Sequence, residues 1–278
     1  MTILRYKVFD IHTHTYPEAI SQKAVTSLGK FYNFEVHGKG TYADLTEQAN
    51  NTKGRDIEFA GFLLFSVATN AHQVNKVNDS IASLAEKARQ EGFEAVGFAG
   101  MHQDYPDYEG EIARCEGMGL RGVKIHPDIQ QMDLEGSDMY RLCEIMEGRL
   151  PLFLHMGDDR AEYRYSEPKK LAKLLDRFPH LEVVAAHFGG YKAWDEAEEY
   201  LYGRPNVWYD LSSALWAMTP ERARELIDKC GHDRVMFGTD YPVCSLDEYV
   251  DLFMKIELDD SVRADIFYNN AHRFLKLQ

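Results

Sequence analysis

Several things are scarce in this chain, and each scarcity removes a class of protein. Cysteine is limited to Cys115, Cys143, Cys230 and Cys244 among 278 residues. No two of them form a CxxC pair, so scattered reduced thiols are expected rather than a disulfide framework or a thiolate metal cluster. No apolar run is long enough to span a bilayer, and Met1 to Asp10 lack the hydrophobic stretch of a signal peptide, so a cytoplasmic protein is expected. Positive charge is outnumbered: 31 Lys and Arg face 45 Asp and Glu, a net charge of −14. A surface so acidic repels phosphate backbones and anionic lipid, which argues against nucleic acid or membrane as a partner and leaves small molecules. No G-x-G-x-x-G follows the first apolar run, which weakens a dinucleotide-binding reading. No segment has the composition of a linker or low-complexity tract, and residues 1–278 are expected to form a single domain.

What is present is a rhythm. Hydrophobic residues make up 45% of the chain, enough for a substantial core. Short apolar runs recur at Lys7–Ile11, Phe59–Phe65, Ala95–Ala99, Leu120–Ile125, Pro151–Leu154, Leu181–Ala186, Val207–Leu211 and Arg234–Gly238. Several lack polar alternation, as strands buried on both faces do. Between them, helical spacing predicts helices over Val77–Arg89, Met139–Met146, Pro168–Phe178, Thr219–Asp228, Leu246–Ile256 and Asp260–Tyr268. Thr219-Pro220 reads as a cap followed by proline at the first helical position. Strands alternating with helices predict an α/β chain with a parallel sheet. The longest departure is an insertion, Thr15–Asp56, after the first strand. Two readings of it stand side by side: a lid over a barrel mouth, or a packed excursion without substrate contact.

The ends of the runs carry the chemistry. His12 and His14 are two apart at the end of the first run, and side chains at i and i+2 of a strand point to one side, so the imidazoles can share a cation. The fourth run ends Lys124-Ile125-His126, the fifth at His155, the sixth at His187, the seventh at Asp210, and the eighth runs into Thr239-Asp240-Tyr241. Taken singly, His155 reads equally well as a satisfied strand-end histidine, and Asp240 as the cap of a following turn. Taken together, strand ends bearing His or Asp predict one mouth where a metal site gathers ligands from distant sequence. His72 and His102 are weaker candidates; His37, His180, His232 and His272 read as structural.

The segments Phe9-Asp10-Ile11-His12-Thr13-His14, Gly122–Pro127, Leu152–His155, Val183–Gly190 and Arg234–Pro242, with the tail Asn269–Phe274, resemble the metal-dependent amidohydrolase superfamily. The likeness is to the amidohydrolase-related branch that includes aminocarboxymuconate-semialdehyde decarboxylase-like enzymes. The resemblance implies a (β/α)8 TIM barrel with the insertion after its first strand. It implies one divalent metal, Zn2+ first and Mn2+ or Fe2+ next, held by His12, His14, His155 and Asp240. His187 would be the catalytic histidine, and His126 a substrate contact or part of a second metal site. Lys124 lies too deep for the bridging lysine of binuclear relatives, so an ordinary lysine paired with an acid is expected. Met156 stands where many relatives carry a smaller residue. The family's habit of pairing suggests a homodimer.

Such a site leaves an open metal position where water loses a proton near neutral pH. The expectation is hydrolysis of an amide, ester or lactone in a small molecule, with Asp240 handling the proton of that water and His187 polarising the carbonyl. Tyr16, Trp216 and Tyr241, with His126, are the candidate substrate contacts. The alternative is a carboxy-lyase acting on an unsaturated or aromatic acid, since His12, His14, His155, His187 and Asp240 serve both schemes. A metal-binding scaffold without turnover is the further alternative.

Overall fold

A computed structural model describes residues 6–52 and 56–277. The strands are β1 (Tyr6–His14), β2 (Ile57–Phe65), β3 (Glu94–Gly97), β4 (Ala99–Gly100), β5 (Val123–Ile125), β6 (Leu152–Leu154), β7 (Val183–Ala185), β8 (Val207–Asp210) and β9 (Val235–Met236). All of their pairings are parallel, in the orders β1-β2-β3 and β4-β5-β6-β7-β8-β9. β3 and β4 are halves of one strand hinged at Phe98: the Phe98 amide donates back to Leu64 O at 3.0 Å, and Ala99 N donates forward to Gly122 O at 2.8 Å. The two ends of the series also meet. Ile11 N donates to Phe237 O at 3.0 Å and His14 N to Tyr241 O at 2.7 Å, so the eight strands form the (β/α)8 barrel expected from the sequence.

The uninterrupted apolar runs follow from burial on both faces. In β6, Leu152 and Leu154 pack outward against the helices while Phe153 points into the barrel; in β7, Val183 and Ala185 face out and Val184 and Ala186 in. The interior cluster, with Phe9, Leu63, Phe65, Val96 and Phe98, is closed at one end by Phe274 and Leu275 of the last helix. The other end, at the strand C-termini, is left to polar residues.

The helices are α1 (Glu18–Tyr32), α2 (Tyr42–Asn51), α3 (Val74–Gln90), α4 (Tyr108–Gly117), α5 (Pro127–Gln130), α6 (Ser137–Met146), α7 (Pro168–Arg177), α8 (Trp194–Tyr200), α9 (Pro220–Cys230), α10 (Leu246–Met254), α11 (Asp260–Ala264) and α12 (Asn270–Leu275). α9 starts as its sequence predicts: the Thr219 side chain accepts from Arg222 N, with Pro220 opening the helix. The expected helix over Asp260–Tyr268 is instead divided, because a π-helical turn at Asp265–Asn269 separates α11 from α12. α8, with Ala197 as its buried residue, has too narrow an apolar face to announce itself in the sequence.

The insertion is helical. α2 buries Tyr42, Leu45 and Ala49 in the outer core, whereas α1 buries Ser21 alone and carries Phe31 and Tyr32 toward the mouth. It therefore combines the two readings: one helix packs, the other reaches the site. No helix among the described residues is long and apolar enough to cross a membrane.

Candidate active site

β1 does more than set two histidines two apart. Its register against β2 shifts between Asp10 and Thr13, which changes the parity that faces the barrel axis. Phe9 points inward before the shift, and His12 and His14 after it, with both rings against Phe65. Buried Asp10 fixes the shift. Its carboxylate accepts from His12 N and Thr239 N, each at 3.0 Å, and from Thr239 Oγ1 at 2.6 Å. Asp10 thus ties the histidine strand to the loop carrying Asp240. Burial pushes its carboxyl up to about 7, against the hydrogen bonds from Thr239 and His12 that pull it down.

Three ligating atoms converge there. His12 Nε2 lies 3.3 Å from His14 Nε2 and 3.1 Å from Asp240 Oδ1, and His14 Nε2 lies 3.6 Å from the same oxygen. Ligands bound tetrahedrally at roughly 2.0–2.1 Å are separated by roughly 3.3 Å, so this triangle has the size of one face of a coordinated divalent ion. The tautomer agrees. His12 Nδ1 lies 2.8 Å from Asp210 Oδ2, and a carboxylate there holds the ring proton on Nδ1 and turns the Nε2 lone pair inward. The other Asp240 oxygen, Oδ2, accepts from Ser213 Oγ at 2.6 Å.

A second pair of lone pairs meets next to it, joined to the triangle through His187. His187 Nδ1 lies 2.8 Å from the Ser212 carbonyl oxygen and His155 Nε2 lies 3.1 Å from that of Gly157; carbonyls only accept, so those nitrogens carry the protons. The remaining nitrogens, His187 Nε2 and His155 Nδ1, are then both acceptors, and they sit 3.0 Å apart. Acceptors at that distance call for a cation or a donor between or beside them. The donor set of imidazoles and carboxylates suits zinc, manganese or iron(II), so the residues fit a divalent metal. The ligating atoms of His12, His187 and Asp240 lie within 4.8 Å of one another, and so do those of His126, Asp128 and His155.

The electrostatics are those of a site built around positive charge. Burial would raise the carboxyls of Asp210 and Asp240, but the surrounding histidines, His12 above all, hold both far below their ordinary range. Burial pushes the imidazoles of His14, His126, His155 and His187 below their ordinary value. At His12, burial and Lys124 press downward, yet Asp240 and Asp210 raise it overall. His187, Ser213 and Asp240 have φ of 61°, 50° and 59°. Left-handed backbone at such residues costs roughly 1–2 kcal/mol each, and strain of this kind concentrates where side-chain direction matters.

Lys124 departs from expectation. Its amine meets His12 Nε2 at 3.3 Å rather than an acid, and lies over the rings of Phe153 and Phe65 at 4.2 and 4.8 Å. Burial pushes it down to about 7, with Asp210 and Asp240 pulling the other way. His126 stacks on His155 with ring centroids 3.9 Å apart. Of the aromatic substrate candidates, Tyr16 lies near enough to Asp240 for that charge to add to burial in raising its phenol. Trp216 is 41% exposed and borders, with Phe34, Val243 and Glu248, a cavity of about 530 Å³. Tyr241 is corrected: it is fully buried, and its hydroxyl donates to Asp44 Oδ2 at 2.8 Å and Thr41 O at 3.0 Å. It fastens the insertion rather than facing a ligand.

Asp210 and Ser212 carried no role in the sequence, and Tyr32 stood only as one residue of the insertion expected to wall the pocket. Asp210 was visible as an acid ending a strand. Ser212 bridges His12 and His187 with its hydroxyl, 2.9 and 3.0 Å from their Nδ1 atoms. Tyr32, in the insertion, places its hydroxyl 2.7 Å from His126 Nε2 and 3.1 Å from His155 Nε2. Nothing in its spacing distinguished it from Phe31 or Phe34.

Comparison with known proteins agrees with the fold. The family model described as amidohydrolase matches residues 9–277. Over 120 residues the chain is 26% identical to a gamma-resorcylate decarboxylase of Polaromonas sp. (strain JS666 / ATCC BAA-500); the match spans 37% of this chain and 37% of that protein. An uncharacterised TIM-barrel protein from Bordetella bronchiseptica superposes with a TM-score of 0.75 at 20% identity, covering 97% of this chain and 98% of the other. The dihydroxybenzoic acid decarboxylase from Polaromonas sp. JS666, solved with bound manganese and the inhibitor 2-nitroresorcinol, gives a TM-score of 0.70 at 16% identity, covering 98% and 97%.

Proposed function

The chain belongs to the amidohydrolase family of enzymes, and we propose that it is a metal-dependent decarboxylase acting on an aromatic or unsaturated carboxylic acid. The hydrolysis expected from an open metal site gives way here to what the sequence reading held as its alternative. The observation that carries the choice is the likeness to gamma-resorcylate decarboxylase, reinforced by the barrel shared with a dihydroxybenzoic acid decarboxylase.

His12, His14, His155 and Asp240 would hold the divalent ion, with zinc and manganese the leading candidates. When bound, it supplies a Lewis acid that anchors the oxygens of the substrate. The rest falls to the chain. Asp210 and Ser212 fix the rings of His12 and His187. Asp240 keeps Oδ2 on Ser213 and leaves Oδ1 toward the centre; ionised at rest, it would take a proton from solvent and pass it to the carbon bearing the carboxylate. As that carbon gains hydrogen, its bond to the carboxylate breaks. The electron pair returns to the ring and CO2 leaves, so acid anion plus proton becomes arene plus CO2. His187, its ring fixed through Nδ1, would take up a proton at Nε2 and donate it as a hydrogen bond to the substrate oxygen on which charge builds.

The test is CO2 release from a panel of hydroxybenzoic and unsaturated acids, run in D2O with the manganese- or zinc-loaded protein. The expected product carries one deuterium at the carbon that lost CO2. Ready hydrolysis of lactones or amides with no CO2 from any acid would overturn the reading in favour of a hydrolase.

A further inference from the structure

Tyr32 reaches the site from the end of α1, and its hydrogen bonds have a definite polarity. His155 Nε2, beside the Gly157 carbonyl, carries its ring's proton. His126 Nδ1 accepts from Ile129 N at 3.3 Å, so that ring too has its proton on Nε2. The His126 N–H therefore donates to the phenol oxygen at 2.7 Å, while the His155 N–H, 3.1 Å from that oxygen, is shared with the Gly157 carbonyl. With Nε2 protonated in both rings, neither can accept, so the phenol keeps its own O–H proton to give away. Donation by the His126 imidazole also polarises the phenol and strengthens it as a donor.

The ring is held for that purpose. It stacks on Phe34 with centroids 5.3 Å apart and planes 3° apart, and the Arg160 guanidinium lies 5.1 Å from its centroid. Arg160 is itself committed, donating to Asp158 at 2.8 and 2.6 Å and to Phe31 O at 2.5 Å. Its charge is thereby compensated, so it positions Tyr32 rather than competing for an anion. Phe34 also borders the cavity of about 530 Å³ that Trp216 and Val243 line.

We propose that Tyr32 is a specificity-determining residue whose hydroxyl donates to the carboxylate of the ligand, while the ligand's ring lies on the Phe34 side. The ligand is then a monocarboxylic acid with a flat apolar body. The inference rests on the proposed reaction for the setting of the site, but its test is separate.

The experiment is calorimetric titration of the manganese-loaded protein and its Tyr32→Phe variant with benzoate and with resorcinol, which lacks the carboxylate. Tyr32→Phe keeps the stack on Phe34. A hydrogen bond to a charged group is worth roughly a tenfold change in affinity or more. The expected result is benzoate weakened about tenfold or more, resorcinol within about twofold, and unchanged metal content. Failure of benzoate to bind the unaltered protein, equal loss for both ligands, or no loss for benzoate would each overturn the proposal. CO2 release without a Tyr32 effect sinks this inference alone. A Tyr32-dependent benzoate site with no CO2 release sinks the decarboxylase reading alone.

Discussion

His12 Nδ1 and Asp210 Oδ2 lie 2.8 Å apart, joining the first strand of the barrel to the seventh across 198 residues of sequence. The contact decides which nitrogen of His12 is free to bind. Asp210→Asn presents an amide that can donate to Nδ1 and so favours the wrong tautomer. Groups that orient metal ligands in this way typically contribute about 10–100-fold in affinity. We expect metal affinity of Asp210→Asn, measured by chelator competition, to fall by that order while the circular dichroism spectrum stays unchanged. Full affinity would mean that Asp210 is only structural.

His187→Asn separates turnover from metal binding. The variant is expected to retain metal by elemental analysis and to lose about 10²–10³ in kcat, the usual loss when a group that stabilises developing charge is removed. Full activity with full metal content would remove His187 from the chemistry.

The thiols should be silent. All four cysteines are buried, and burial pushes Cys115, Cys143 and Cys244 up to about 12, with Cys230 raised as well. At pH 8 the thiolate fraction is negligible, so Ellman's reagent is expected to detect none in the native protein and all four after denaturation. A fast-reacting thiol in the native state would contradict the packing.

Two glycine substitutions should have opposite signs. A Cβ on Gly61 in β2 would sit 2.1 Å from Glu94 O and 2.7 Å from the Phe9 ring, whereas one on Gly117 in α4 meets nothing within 4 Å. Gly61→Ala should cost on the order of 3 kcal/mol, because backbone must move. Gly117→Ala should be neutral or stabilise by up to about 1 kcal/mol through helix propensity. Denaturant midpoints measure both.

Asp44 gives the insertion a pH dependence. Burial would raise its carboxyl, but the Lys39 amide, the Tyr241 hydroxyl and the Lys39 charge lower it overall. A carboxyl lowered on folding adds stability above its unfolded pKa of about 3.9, and that stability fades as pH falls through the folded value. Asp44→Asn should therefore flatten the loss of stability below about pH 4. An unchanged acid profile would show that Asp44 does not fasten α2.

The barrel was legible because its strands are buried along nearly their whole length, so eight apolar runs stood out without any contact being known. His12, His14, His155, His187 and Asp240 were legible because a barrel brings strand ends together whatever their separation in sequence. The register shift at Asp10–Thr13 was not, since it depends on three hydrogen bonds to a carboxylate from distant Thr239 and neighbouring His12. Tyr32 was hidden for a related reason. α1 buries almost nothing, so no periodicity marks the residue at its end as the one that reaches the histidines. Lys124 was not legible, because its partners are an imidazole and two aromatic rings where charge pairing favours an acid.

The central claim is that one divalent ion unites the strand ends. Its most direct test is a crystal structure of the manganese-loaded protein, with the metal placed by anomalous scattering. The account predicts a single strong peak bonded to His12 Nε2, His14 Nε2 and Asp240 Oδ1, with His155 completing the protein ligands. A peak that touches none of these four residues, or a protein that takes up no metal, would contradict it.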